Sequence, residues 1–343
     1  MLSARTAGTA GIAVTVFDDG KVARFLLHPA CLVIAGPSSV CWVPAMKIRC
    51  GYNLSYQCPQ AVPMQFLLSV HPSRERDLVT DQVMRTDPYL PSRVVLDHFG
   101  NRLTRLVAPA GELAVSADFI VEDSGSPDEV NRDAQEVPVD HLPDEVLIYL
   151  MGSRYADTDL LGDTAWSLFG GTPRGWTRVQ AIVDYVHDRL RFDYQMARST
   201  RTASEGHFEH VGVCRDFAHL AVSLCRCMNI PARYCTGYLG DIGVPPVDAP
   251  MDWSAWFEAY LGGRWYTFDA RHNIPRIGRV VMARGRDATD VAISTAFGSA
   301  ILGRFDVITD EVKEATTFRH SYSGHFTSGE IDPQSSMPVL SRS

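Results

Sequence analysis

Gly212-Val213-Cys214-Arg215-Asp216-Phe217-Ala218-His219-Leu220 is the stretch whose reading decides the fold. A glycine leads into a cysteine, after which small or apolar residues recur at Cys214, Phe217, Ala218, Ala221, Leu224, Cys225 and Met228. That is the spacing of a helix with one buried face, and Asn229-Ile230-Pro231 closes it. Cys214 therefore opens a helix, where unpaired backbone N–H groups and the helix dipole favour a thiolate and can hold a developing oxyanion. From spacing alone, one more small residue on a buried helix face is an equally good reading of Cys214.

Working outward, Gly262-Gly263 between two strand-like runs, 255–261 and 264–268, predicts a two-residue hairpin. Its register pairs Leu261 with Arg264 and, counting back, Trp256 with Asp269. Ser254 then lies on the same face as Asp269 and diagonal to it. A histidine at 254 would reach Asp269 with one ring nitrogen and Cys214 with the other, which is the nucleophile, base and orienter arrangement. The same count puts His272 opposite Trp253, on the other face.

The three blocks Gly212-Val-Cys214-Arg-Asp216-Phe217, Ala255-Trp256-Phe-Glu258 and Trp265-Tyr-Thr-Phe-Asp269, in this order, resemble the transglutaminase-like superfamily, the bacterial transglutaminase-like cysteine proteases in particular. The run Asn229-Ile-Pro-Ala-Arg233-Tyr is similar as well, and the strand-rich region 46–123 resembles the N-terminal region that these bacterial proteins carry. The resemblance spans nearly everything from Met46 to about Val312. It implies a papain/transglutaminase-like domain in which a helix-borne cysteine packs on an antiparallel sheet. It also implies Cys214 as nucleophile and Asp269 as orienter of a peptide or amide hydrolase that works through a thioester.

Ser254 stands where the family has its histidine. A serine hydroxyl takes up no proton near neutral pH and is too short to bridge Cys214 and Asp269. Losing general-base assistance costs a factor of about 10² to 10⁴ in rate. Among the other histidines, His219 sits five residues along the helix and points away from Cys214. His207 and His210, read as loop residues before Cys214, are the candidate substitute bases. Asp216 suits the positive end of the helix and braces a neighbouring loop. Trp256 and Glu258 share the face of Ser254 and support the cleft. Arg215 and Arg233 fit structural ion pairs better than a substrate carboxylate. Three readings follow: a weakened hydrolase, adopted as the first expectation; a pseudoenzyme that binds peptide or serves as a scaffold; and an ordinary enzyme carrying a sporadic or engineered change at 254.

The rest of the chain sets the frame, an α+β protein with a β-rich N-terminal domain. Alternation at Ile48, Cys50, Tyr52, Leu54, Tyr56 and Cys58, and again at Leu113, Val115, Ala117, Phe119 and Val121, marks half-buried strands. The expected division is an N-terminal extension over 1–45, a β-rich domain over 46–123, a polar linker over 124–140, the transglutaminase-like domain over 141–312 and a disordered tail over 313–343. Residues 1–45 read either as an extra strand pair, Val14–Phe17 with Val22–Leu27, or as an upstream extension before a true start at Met46.

Composition narrows the partners. The 343 residues carry a net charge of −8 and only three lysines, Lys21, Lys47 and Lys313, so no basic patch points to nucleic acid or an anionic membrane. A peptide or protein substrate is the expected partner. No apolar run approaches a bilayer span and no leader is evident, which gives a cytoplasmic expectation. None of the eight cysteines forms a C-x-x-C pair, so reduced thiols and no structural zinc are expected. The chain lacks a dinucleotide-type glycine loop and a P-loop, and no cofactor is expected.

Overall fold

Alternation in two long strands organises the first half of the molecule. The computed structural model describes residues 12–16, 22–26, 45–246 and 252–313. Strands β1 (Ile12–Val16) and β2 (Val22–Leu26) pair antiparallel, as the sequence suggests. The rest of the expected extension, and the polar tail beyond Lys313, lie outside the described residues. In β3 (Met46–Cys58) every second residue from Ile48 to Cys58 is buried. Then come β4 (Val62–Phe66), β5 (Arg85–Asp87), β6 (Arg93–Leu96), β7 (Arg102–Ala108) and β8 (Gly111–Asp123). β3 and β8 pair along their whole length, from Met46 opposite Asp123 to Cys58 opposite Gly111.

Helices follow: α1 (Asp144–Leu147), α2 (Gly162–Phe169) and α3 (Trp176–Arg189). The N-cap of α3 is Gly175, at φ 89°. A short parallel pair, β9 (Arg191–Phe192) and β10 (Val211–Gly212), brackets α4 (Ala203–Glu209). Helix α5 (Cys214–Cys227) begins at the cysteine and ends before Asn229, whose φ of 60° turns the chain. The central sheet comprises β11 (Ala232–Tyr238), β12 (Ser254–Leu261), β13 (Arg264–Phe268) and β14 (Val280–Gly285), in the antiparallel order β13-β12-β11-β14.

All eight residues of β12 are buried, because both of its faces are covered. Phe257, Ala259 and Leu261 join the core formed with α3 and α5. Tyr238, Val280 and Met282 pack with Ile48, Tyr52 and Phe119 of the N-terminal strands. Gly237 sits at a register shift between β11 and β14, where a Cβ would meet the Val280 carbonyl at 2.1 Å. Only glycine admits that backbone approach.

Two parts of the expected division need correction. The segment 124–140 is a tethered strap: Trp176 N–H donates to the Ala134 carbonyl, Gly262 N–H to that of Gln135, and Arg178 pairs with Glu136 at 3.1 Å. Polar composition supplied the ion-pair partners that fix it. The last strands, β15 (Ser294–Ala296) and β16 (Ile301–Glu311), return to the N-terminal sheets, pairing with β4 and β3. Their alternation is too weak to show this in sequence.

Because β16 covers the outer edge of β3, a chain ending after Ala300 should melt roughly 10 °C or more below a chain ending after Lys313. Thermal unfolding followed by circular dichroism checks this.

Candidate active site

The packing of α5 on the central sheet brings Cys214 to the wall of a cleft of about 560 Å³. Cys214, Arg215, Thr236, Asp252, Ser254 and Ala255 are among its lining residues. The start of α5 is built locally. Asp216 is buried, and its carboxylate accepts the Val213 N–H at 2.9 Å and an Arg201 N–H at 3.0 Å. That arrangement caps the helix and ties it to the 196–201 loop, since Arg201 also donates to the Met196 carbonyl.

Cys214 is half-buried, open to the cleft and enclosed by protein elsewhere. Burial pushes its thiol up to about 11, against the positive charge of Arg271 and the N–H of Ala255, while Asp252 and Asp269 push the same way as burial. A helix N-terminus contributes only about 0.3–1 kcal/mol to an anion at ordinary sites, so desolvation wins here and the thiol is neutral at pH 7. Arg271 and Asp252 escaped the sequence reading. Arg271 lies two residues beyond Asp269, its guanidinium 3.8 Å from the centre of the Phe192 ring.

Ser254 begins β12 and is buried, and its Oγ finds no hydrogen-bond partner among the described residues. Its carbonyl accepts the Thr236 hydroxyl at 3.2 Å. No histidine is among the described residues lining the cleft. His207, a candidate substitute, lies within α4 rather than a loop. It is buried, with Nδ1 3.4 Å from the Tyr185 hydroxyl, and burial lowers its pKa. His210 ends α4 in the left-handed region, φ 58°, and also stays outside the cleft. His219 is fully buried between Tyr155 and Tyr234, its Nε2 accepting the Ala288 N–H, and burial lowers its pKa to about 3.

The hairpin register is as read from Gly262-Gly263, with Leu261 opposite Arg264, but pairing stops at Phe257 opposite Phe268. Asp269 leaves the strand and caps its own turn, accepting the N–H groups of Arg271 at 3.1 Å and His272 at 3.0 Å. His272 consequently folds back, and its Nδ1 lies 2.9 Å from Asp269 Oδ2. Counting the ladder past its end had put it on the opposite face. Arg279 reaches the same oxygen at 3.2 Å. Burial alone would raise the Asp269 carboxyl, but the His272 hydrogen bond and the Arg279 charge together hold it far below the ordinary carboxylate range.

Trp256 and Glu258 belong elsewhere too. Both line a second cavity rather than the Cys214 cleft. Glu258 is buried between Arg233 at 2.6 Å and Arg284 at 3.1 Å. The alternation of β12 puts them on the face away from α5, where Arg74, Asp123, Asp128 and Arg279 line the same cavity. Among the described residues, no group of three His, Cys, Asp or Glu side chains is placed to hold a metal ion, and no helix is long and apolar enough to cross a membrane.

Comparison with known proteins agrees with this architecture. Residues 165–270 match the model of the transglutaminase-like superfamily. The chain carries a transglutaminase-like core domain, preceded by a β-rich region. The crystal structure of a "putative cysteine protease" from Cytophaga hutchinsonii is similar at a TM-score of 0.69 and 29% identity, covering 80% of this chain and 93% of that one. An uncharacterized protein of Mycobacterium leprae is 26% identical over 260 residues, 72% of this chain and 90% of its own.

Removing the Asp269 charge should leave His272 without this partner and Arg279 with Asp128 alone. We expect Asp269→Asn to cost about 3–5 kcal/mol at neutral pH. Because the folded carboxyl is depressed, its contribution is present above the unfolded value near 3.9 and is lost as pH falls through and below it. Unfolding curves of parent and variant should therefore differ at pH 7 and draw together below pH ~3.

Proposed function

We propose that this protein uses its transglutaminase-like cleft to bind a peptide or other amide-bearing chain, with acyl transfer through Cys214 reduced to a residual activity. The observation that carries this reading is the buried hydroxyl of Ser254, without a partner among the described residues, on the same cleft as Cys214, where no histidine is among the described lining residues. A thiol held near 11 is almost wholly protonated at pH 7. With no imidazole to take that proton, the first expectation of hydrolysis gives way to binding. A peptide or protein partner fits an open cleft of this size, and six described cysteines left as free thiols support a cytoplasmic setting.

One observation favours a second reading, a working amide hydrolase. Cys214 still opens a helix on the cleft with the Ala255 N–H directed at its sulfur, as a nucleophile would require. The Cytophaga protein of similar fold bears the name of a cysteine protease. In that chemistry the thiolate adds to an amide carbonyl, the amine leaves with a proton, and water cleaves the thioester to release the acid and regenerate the thiol. The proton taken from the thiol and the one given to the amine need a carrier, and the cleft lacks the usual one.

The test is Ser254→His against the parent and Cys214→Ala, with hydrolysis of a fluorogenic peptide mixture as the readout. The binding reading predicts a parent only slightly above Cys214→Ala and a gain of about 10²-fold or more in Ser254→His. A parent well above Cys214→Ala and level with Ser254→His would overturn it in favour of the hydrolase.

A further inference from the structure

One sheet of the N-terminal region ends on an open edge. Strand β6, Arg93-Val94-Val95-Leu96, is the last in the order β15-β4-β7-β6, and no described residue hydrogen-bonds to its outer side. An antiparallel strand pairs with each neighbour through alternate residues, so the backbone groups that point outward from β6 are available to a further strand. Its side chains are bare as well. Val94 and Leu96 share the face on which β7 buries Thr104 and Leu106, yet they are 56% and 64% exposed. The core stops one strand short of this edge.

The other face of β6 carries charge. Arg93 stands directly opposite Arg105 of β7, with Gln65 of β4 next in the same row. Both arginines are exposed, and neither side chain makes an ion pair or a hydrogen bond with a described residue. Like charges directly opposite one another across a ladder repel. The two arginines line an open groove of about 510 Å³ together with Pro63, Gln65, Val107 and Phe297, and Val107 and Phe297 are themselves exposed. This groove shares no described lining residue with the Cys214 cleft.

Charge decides which strand such an edge accepts. A second β6 would bring another arginine and no carboxylate. We infer that the β6 edge docks an extended segment of a partner protein in which acidic and apolar residues alternate. The segment adds a strand to the sheet through backbone hydrogen bonds. Side chains alternate between the two faces, so every second residue of the added strand lies on the arginine face and those between lie beside Val94 and Leu96. Carboxylates in the first set meet the guanidinium forks of Arg93 and Arg105, whose planar geometry matches them. Apolar side chains in the second set cover Val94 and Leu96, which the protein's own core leaves bare.

The probe is a fluorescein-labelled octapeptide of alternating Glu and Val, titrated with the full chain and read by fluorescence anisotropy. Binding should be saturable. Its midpoint should rise at least about tenfold for a peptide of the same composition with all Glu before all Val, and for the alternating Lys and Val analogue. The double variant Arg93→Gln/Arg105→Gln should weaken binding of the Glu and Val peptide by about tenfold or more, and so should Leu96→Asp, which sets a charge on the apolar face. All three side chains are exposed, so these variants keep the parent Tm. A parent that does not bind the peptide overturns the proposal, as do equal midpoints for the alternating and block peptides or a double variant with the parent midpoint. A parent that sediments as a dimer dispersed by Leu96→Asp assigns the edge to a second copy and also overturns it.

Discussion

The contact between α5 and β12 is the constraint on which the rest of the molecule depends. Small residues on both partners, Ala218 and Ala221 on the helix and Ala255 and Ala259 on the strand, let the two backbones come close. Phe217, Leu224 and Phe257 fill the space beside them. Such cores tolerate little change in volume, and truncating a buried phenylalanine typically costs about 3–5 kcal/mol. The same contact fixes where chemistry can occur. It holds the first residue of the helix against the first residues of the strand, so Cys214, the Ala255 amide and Ser254 meet at one end of the interface.

The opposite face of β12 is dominated by charge. Glu258 is buried between two arginines, and Arg279 links the 124–140 strap to Asp269 through Asp128. This network joins three separated parts of the chain without adding apolar surface. Buried ion pairs of this kind contribute less through net attraction than through the cost of breaking them, because removal of one member leaves a desolvated charge behind. The central sheet is thereby committed on both faces, by packing on one and by paired charges on the other.

Much of this was legible in the sequence where a periodic signal was strong. The alternation of Ile48–Cys58, the helix opened by Cys214 and the Gly262-Gly263 hairpin all fall where their residues indicate. What the residues did not show begins where regular pairing ends. Asp269 turns the chain by binding its own downstream amides, so a count along the ladder could not place His272. The face of β12 bearing Trp256 and Glu258 could be deduced, but its surroundings could not, because Arg74, Asp123 and Asp128 reach it from more than 120 residues earlier in the chain. The return of β16 to β3 is a long-range pairing with little alternation to announce it. Arg271 and Asp252 flank the thiol only through the folded turn and the approach to β12.

The account rests on a thiol kept neutral by its surroundings, in a cleft with no histidine among its described lining residues. The pH profile of Cys214 alkylation by iodoacetamide, followed at the Cys214 peptide by mass spectrometry, tests this most directly. The account predicts slow reaction at pH 7 and a rate that climbs with pH toward an inflection near 11. Fast reaction with an inflection between about 4 and 7.5, the range of activated cysteines, would contradict it.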